Sequence, residues 1–397
     1  IAIEYCVIWR ENMRKKRMQI SLIITESCPL ACNYCYEIHK ENQKMTFEKA
    51  KEHIDKEFAE LDDDTEVNIE FFGGEPFLNF GLIEQVIAYV ETQYPKRMIA
   101  YNTTTSGVII NDHIKNWLWE HRKHFYVALS LDGVKEAHDK NRVFAGNKKG
   151  TFDSIDQKFF FETYHPLPVK ATIAPNCLEQ MAESVIYLIE KGYKVDATLA
   201  MGDIDWSNPQ NVDILIRELS KLIEYYDKHP DTEAIRMLDI PFEALLLEKK
   251  ETTRYCGAGL RIHCYTGNDD YWTPCQGFSK ITVGEEVSTQ YAGEDFEGYV
   301  EPESVCTKCP LNNVCSRCWG TNLAATGSIH KIDPWLCVIN RIILQAGSKI
   351  RYDKIMKKPK SEWTEKESQI LKCISIIMDT ADNSEIEYLS DQINKSY

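Results

Sequence analysis

The sequence predicts an α/β fold: a parallel sheet of six strands with crossover helices, then a small cysteine-rich region, then C-terminal helices. Three observations lead there. Six short segments of β-branched and aromatic residues are nearly continuous in apolar character, as strands buried on both faces are. Amphipathic helical patterns separate them. After about residue 235 both patterns stop, and residues 254–337 are rich in Cys, Gly and Asp.

The strand candidates are QISLIIT (19–25), VNIEFF (67–72), MIAYNT (98–103), FYVALSL (125–131), VKATIA (169–174) and VDATLAM (195–201). The first helix lies in TFEKAKEHIDKEFAEL, where Phe47, Ala50, Ile54, Phe58 and Leu61 share one face and Thr46 is placed to cap it. Further helices run through 81–93, 113–122, 178–192 and 212–228. Alternating strands and helices argue for right-handed parallel crossovers. Six units fall short of the eight of a closed barrel. An open partial barrel and a doubly wound sheet both fit the periodicity, and in either the chemistry belongs at the carboxyl ends of the strands. The irregular stretch 254–337 buries little apolar surface and needs metal to fold. From Trp335 the chain reads helical again, through INRIILQAGSKIRYDKIM and SEWTEKESQILKCISIIMDTA.

The 397 residues are 43% hydrophobic and 27% charged, the balance of a globular chain. A net charge of −15 argues against a nucleic-acid binder, which needs a basic face, and against an anionic membrane surface. No run of about eighteen apolar residues occurs. The opening IAIEYCVIWRENMRKK carries its charges after its apolar stretch, the reverse of a secretory signal, so the expected location is cytoplasmic. Fourteen cysteines in such a chain point to thiols that hold metal rather than to disulfides. They cluster: Cys28, Cys32 and Cys35; Cys256, Cys264 and Cys275; Cys306, Cys309, Cys315 and Cys318, with Cys337 behind. Cys6, Cys177 and Cys373 stand apart and read as small buried apolar residues.

The first cluster, in ESCPLACNYCYE, follows the end of the first strand. Thiolates suit zinc or an iron–sulfur cluster. A structural zinc takes four ligands, and a three-thiolate zinc with an open position is a poor Lewis acid. In a four-iron cluster each iron takes one thiolate, so three cysteines leave one iron open to a cofactor. Cys28-x3-Cys32-x2-Cys35, with the aromatic Tyr34 just before the third Cys, resembles the loop of radical S-adenosylmethionine enzymes. The resemblance implies a partial (β/α)6 TIM-like barrel. It also implies that the open iron chelates S-adenosylmethionine, whose reductive cleavage yields a deoxyadenosyl radical. A flavodoxin- or ferredoxin-type electron donor is implied with it.

Three further stretches resemble the family in order. FFGGEP ends the second strand, and there Gly73, Gly74 and Glu75 would hold the amino group of the cofactor, the glycines permitting close backbone approach. YNTTTSG ends the third, with Asn102 near the ribose. SLDGVKEAHDKNR ends the fourth, where Ser130 corresponds to a ribose or carboxylate contact and Arg142 to a carboxylate contact. His138 reads equally well as part of a capped helix start and is not counted in the site.

The later cysteines do not fit a zinc ribbon, because five residues between Cys309 and Cys315 are too few for its hairpin. They resemble a SPASM domain, which carries two auxiliary four-iron clusters and so raises the expected total to three. By order, the resemblance implies Cys256, Cys264, Cys275 and Cys318 for the first, and Cys306, Cys309, Cys315 and Cys337 for the second. Eight ligands close both clusters and favour electron relay. Two departures stand out: Cys315 and Cys318 are separated by two residues where the family has three, and Gly267 lies eight residues before Cys275 rather than five. The expected organisation is an N-terminal extension 1–17, a radical barrel 18–235, an auxiliary cluster domain 236–340 and a C-terminal helical segment 341–397.

The family resemblance points to peptide or protein substrates. Sulfatase maturases, which make formylglycine, carry an Asp base after the third auxiliary Cys; here that position is Gln276, which cannot accept a proton at neutral pH. The preferred reading is oxidative crosslinking of a ribosomally made precursor peptide, with a thioether from a Cys to a carbon of another residue. Only 27 residues precede Cys28, too few for a winged-helix recognition domain, so a separate leader-recognition protein or direct leader binding is expected. An alternative of another class is a non-catalytic iron–sulfur or zinc scaffold, which the cofactor motifs argue against. The catalytic base is not identifiable from the sequence; Glu70, Tyr101 and Asp270 are uncommitted candidates.

Overall fold

The computed structural model describes residues 17–202, 204–246, 256–297, 299 and 302–380. Residues 1–16 of the expected N-terminal extension, Cys6 among them, and residues 381–397 of the C-terminal segment lie outside the described residues.

All six strands form: β1 (Arg17–Thr25), β2 (Glu66–Gly73), β3 (Ile99–Thr105), β4 (Phe125–Ser130), β5 (Pro168–Ile173) and β6 (Lys194–Leu199). Two more, β7 (Ile262–Thr266) and β8 (Trp272–Thr273), come from the cysteine-rich stretch. The first helices are α1 (Phe47–Glu60), α2 (Phe80–Gln93), α3 (Asp112–His121), α4 (Lys135–Asn141), α5 (Gln157–Thr163), α6 (Met181–Glu190) and α7 (Gln210–Lys228). Three short ones follow, α8 (Lys280–Val283), α9 (Glu285–Thr289) and α10 (Val305–Lys308), and then α11 (Trp319–Thr326), α12 (Pro334–Met356) and α13 (Glu365–Thr380). None of the described helices is long and apolar enough to cross a membrane.

The chain forms two compact units. The first comprises the chain up to Ala171, Ile189–Lys194 and Gly257–Glu297. Its strands lie in the order β5-β4-β3-β2-β1-β7-β8. Neighbours from β5 to β7 run parallel, and β8 pairs antiparallel with β7. Strand β1 is flanked on both edges, and Ile20, Leu22, Ile23 and Ile24 are fully buried. Thr46 caps α1 as expected, accepting from Lys49 N at 3.2 Å. The buried face of α1 is Ala50, His53, Ile54, Glu57 and Phe58, rotated from the purely apolar one. The reason is polar: Glu57 accepts from Tyr265 Oη at 2.6 Å and pairs with His263 at 2.7 Å, both on β7.

Register decides between the two expected sheets. Gln19 lies opposite Asn68 and Ser21 opposite Glu70. Glu70 lies opposite Asn102, and Ser130 opposite Lys170. Alternate residues of a strand share a face, so one face of this sheet carries a polar row. A doubly wound sheet would cover both faces with helices. A polar concave face belongs to a partial barrel, and the apolar look of segments such as VNIEFF concealed it.

The second unit comprises Thr172–Leu188, Val195–Cys256 and the chain from Gly298. In it the end of β5 meets β6, with Ala200 N donating to Ile173 O at 2.8 Å. Its core gathers Ile240, Phe242, Leu311, Val314, Leu344, Ile355, Ile370, Ile374 and Ile377, with Cys373 fully buried among them. Cys177 is also buried, so both isolated cysteines within the described residues pack as small apolar groups.

Candidate functional site

The three-cysteine loop follows β1 directly, and its backbone is pinned on two sides. On one, Gly74 N donates to Thr25 O and Glu75 N to Ser27 O, both at 2.9 Å. On the other, Ala31 N donates to Val143 O at 2.8 Å and Asn33 N to Asn141 O at 3.1 Å. Gly73 and Gly74 are thus glycines for a closer reason than ligand approach. A Cβ on Gly73 would stand 2.1 Å from Thr25 O, and one on Gly74 would stand 2.4 Å from Ser27 O. Glu75 is buried and anchors the next strand end, accepting from Thr105 Oγ1 at 2.7 Å, from Ser106 N at 2.8 Å and from the Ser106 hydroxyl. The cysteine loop, the Gly-Gly-Glu turn and the end of β3 therefore form one rigid rim.

Within the rim, Cys28, Cys32 and Cys35 lie within electrostatic reach of one another in sequence, Cys28 to Cys32 and Cys32 to Cys35. Burial pushes the Cys28 thiol up to about 12 and raises that of Cys32. Such thiols ionise when a metal takes their charge. Lys40 brings its ammonium to 3.2 Å from Cys35 Sγ and to 3.2 Å from Glu37. Buried oxygens Glu26 Oε1 and Glu37 Oε1 lack a partner among the described residues. The donor set, three thiols beside one cation, fits an iron–sulfur cluster held by three cysteines.

The remaining cofactor candidates divide. Tyr34 donates its hydroxyl to Asp132, which also pairs with Arg142 at 3.1 Å, and the Arg142 guanidinium lies 5.4 Å from the Tyr34 ring centroid. Arg142 is electrostatically close to Cys32. Tyr34 and Arg142 are therefore brought to the cysteine loop, with the buried Asp132 between them. Asn102 is mid-strand and donates to Asn68 Oδ1 at 2.8 Å. Ser130 is buried at the carboxyl end of β4. His138 is fully buried, bonded through Nδ1 to Asp132 N and through Nε2 to Thr151, and burial lowers it to about 4. It is a neutral structural histidine.

Deeper on the polar face sits a network that sequence reasoning did not assemble. One oxygen of Glu70, Oε2, accepts from Ser21 Oγ at 2.7 Å, from Gln19 Nε2 at 2.9 Å and from Gln276 Nε2. Gln276 also donates to Ser21 Oγ at 3.0 Å. Burial raises the Glu70 pKa, against the pull of these donors and of Lys170. Tyr36, next to Cys35, faces this network: its phenol is electrostatically close to Glu70 and Cys275 while 39% of the residue stays exposed. The signal was alternation, which sets Glu70 on the face of Ser21 and Asn102. Cys264 on β7 lies opposite Ser21 and packs against Ile23, Ile281 and Phe72.

In the second unit, Cys315 lies within electrostatic reach of Cys337, Cys309 and Cys306. Cys337 in turn reaches Cys306 and Cys309. Two helix starts build this convergence. Ser304 and Thr307 form a capping box around Cys306. Asp333 caps α12 through Trp335 N and Leu336 N, which fixes Cys337 in the first turn. Burial pushes Cys315 up to about 12 and Cys337 to about 11. Cys318 is the N-cap residue of α11, and Cys256 is exposed at the edge of a described stretch.

A family model described as a 4Fe-4S single cluster domain matches residues 17–149. An uncharacterized protein, MJ0907, of Methanocaldococcus jannaschii is 30% identical over 212 residues, 53% of this chain and 71% of that one. The radical SAM cyclopropyl synthase TigE of Paramaledivibacter caminithermalis is 23% identical over 371 residues, 84% of this chain and 75% of that one. Among solved structures, histidine-tagged anSMEcpe with bound AdoMet aligns at TM-score 0.67 and 18% identity, covering 90% of this chain and 98% of that one. Streptococcus suis SuiB bound to precursor peptide SuiA aligns at TM-score 0.53 and 14% identity, covering 83% and 77%. At these identities the two structures speak for a shared fold.

Proposed function

The chain belongs to the radical S-adenosylmethionine enzymes that modify peptides or proteins, and from that premise we propose that it oxidatively crosslinks a ribosomally made precursor peptide, forming a thioether from a Cys to a carbon of another residue. Cys28, Cys32 and Cys35 hold the cluster that, when bound, supplies a deoxyadenosyl radical from S-adenosylmethionine. The Gly-Gly-Glu turn fixes the loop that carries them, and Tyr34, Ser130, Arg142 and Asn102 are assigned to the surrounding cofactor site.

Two auxiliary clusters complete the reading, in a domain assigned to residues 236–340 that follows a barrel assigned to 18–235. Cys306, Cys309, Cys315 and Cys337 hold one, supported by their convergence. Cys256, Cys264, Cys275 and Cys318 are assigned to the other by order. Relatives of the anSMEcpe type raise formylglycine formation as the rival outcome. The observation that carries the crosslinking reading is Gln276: an amide, whose nitrogen donates to Glu70 and Ser21, occupies the position that the Asp base takes in a maturase.

Co-expression of the chain with small peptides encoded beside its gene, read by mass spectrometry, tests this. A loss of about 2 Da per modification, with the Cys no longer alkylatable, is the expected result. Conversion of a Cys thiol to an aldehyde overturns it in favour of the maturase reading, and an unmodified peptide set overturns it outright.

A further inference from the structure

We propose that Glu70 is the catalytic base of the crosslinking step, taking the thiol proton of the substrate on Oε1 as the sulfur–carbon bond forms. The assignment rests on the peptide-crosslinking reading above. It begins with an asymmetry. Three donors, Ser21 Oγ, Gln19 Nε2 and Gln276 Nε2, all meet Oε2. Among the described residues none donates to Oε1. Oε1 therefore keeps lone pairs that can accept a proton. Here one oxygen is clamped and the other is kept for something else.

The surroundings say what that is. Glu70 lies on the polar concave face, opposite Ser21 and Asn102, on the strand whose end carries the Gly-Gly-Glu turn. Tyr36, the neighbour of Cys35, is electrostatically close to it, so the carboxylate lies on the side of the sheet that the cysteine loop faces. Lys170, Tyr36 and Cys264 are the titratable groups that face it. Burial lifts its proton affinity above that of an ordinary Glu, and a base gains strength as its pKa approaches the working pH. Gln276 is then a positioning residue. It holds Oε2 from the position where an acid would otherwise act.

The step balances. Hydrogen abstraction leaves a carbon radical on the peptide and deoxyadenosine. The Cys S–H bond breaks and its proton goes to Glu70 Oε1. A C–S bond forms, and the surplus electron leaves to an oxidised iron–sulfur cluster, which is thereby reduced. The peptide loses two hydrogens in all.

The test uses the reconstituted full chain, dithionite, S-adenosylmethionine and the neighbouring-gene peptide made with deuterated side chains. Glu70→Gln keeps an oxygen for the three donors and removes the proton acceptor. Hydrogen abstraction precedes the assigned step, so E70Q is expected to move deuterium into deoxyadenosine while crosslinked peptide falls by about 100-fold or more. Glu70→Asp, which retains a carboxylate, is expected to restore part of the product. Crosslinking by E70Q within about threefold of the wild type overturns the assignment. So does equal loss of deuterium transfer and product in E70Q, which would make Glu70 merely structural. If the wild-type chain neither moves deuterium nor crosslinks, the crosslinking reading itself fails and the base assignment falls with it.

Discussion

The ammonium of Lys40 stands 3.2 Å from Cys35 Sγ, and Glu37 holds it there from the other side. A cation against a ligand sulfur favours the more negative, reduced form of a cluster, since net charge and hydrogen bonds to sulfur set such potentials. Lys40→Gln is therefore expected to lower the reduction potential of the loop cluster, on the order of tens of millivolts. An EPR-monitored redox titration of a chain whose auxiliary cysteines are replaced by Ala reads this directly. An unchanged or raised potential would show that Glu37 already cancels the lysine.

Gly73 has a φ of +129° and no room for a methyl group, because Thr25 O would lie 2.1 Å from it. The atom it meets belongs to the backbone, so no side-chain rotation relieves the clash. Gly73→Ala is expected to cost about 2–4 kcal/mol and to reduce iron bound per chain, by moving the loop that follows Thr25. Gly81, on α2 with nothing within 4 Å of its would-be Cβ, is the contrast. Gly81→Ala should gain about 0.5–1 kcal/mol with iron unchanged. Thermal unfolding and iron analysis of both variants check the pair.

These glycines also show what the sequence could reveal. The six strands were legible because their apolar runs are local, and the cysteine loop because its spacing is local. The Gly-Gly-Glu turn was legible as a site element, but its reason was not. The backbone it approaches, Thr25 to Ser27, lies far away in sequence and becomes a neighbour only through β1–β2 pairing. Glu70 could be named as a candidate base, but its clamp was hidden for the same reason twice over. Its own strand reads as apolar, and its clamp Gln276 arrives because β7 and β8 extend the sheet beside β1. Periodicity reports which face a residue takes but is silent on pairings between residues so far apart along the chain.

His138 gives a pH signature. Burial lowers it to about 4, and its unfolded value is near 6.5. The unfolded chain thus binds a proton first as pH falls. The stability tied to neutral His138 is fully present above about pH 6.5 and is lost progressively as pH drops toward 4, up to on the order of 3 kcal/mol. His138→Asn should be less stable than wild type at pH 7 and should approach it at pH 5. Urea midpoints of both proteins at the two pH values measure this. A stability gap that stays constant with pH would mean that His138 titrates in the fold as it does in the unfolded chain.

Cys315 is a half-buried and Cys373 a fully buried cysteine of the second unit, and they differ in company. Cys315 faces three other cysteines, whereas Cys373 sits among Ile and Leu side chains. A thiol among thiols holds a metal, and a thiol among aliphatic groups fills space. Cys315→Ala should therefore remove one auxiliary cluster, a loss of about four iron and four sulfide per chain. Cys373→Ala should leave iron unchanged and cost about 1–2 kcal/mol as a small cavity. Iron, sulfide and zinc analysis of anaerobically purified variants separates the cases. Zinc replacing iron in the wild type, lost on Cys315→Ala, would mean that the four thiolates close around a single zinc instead.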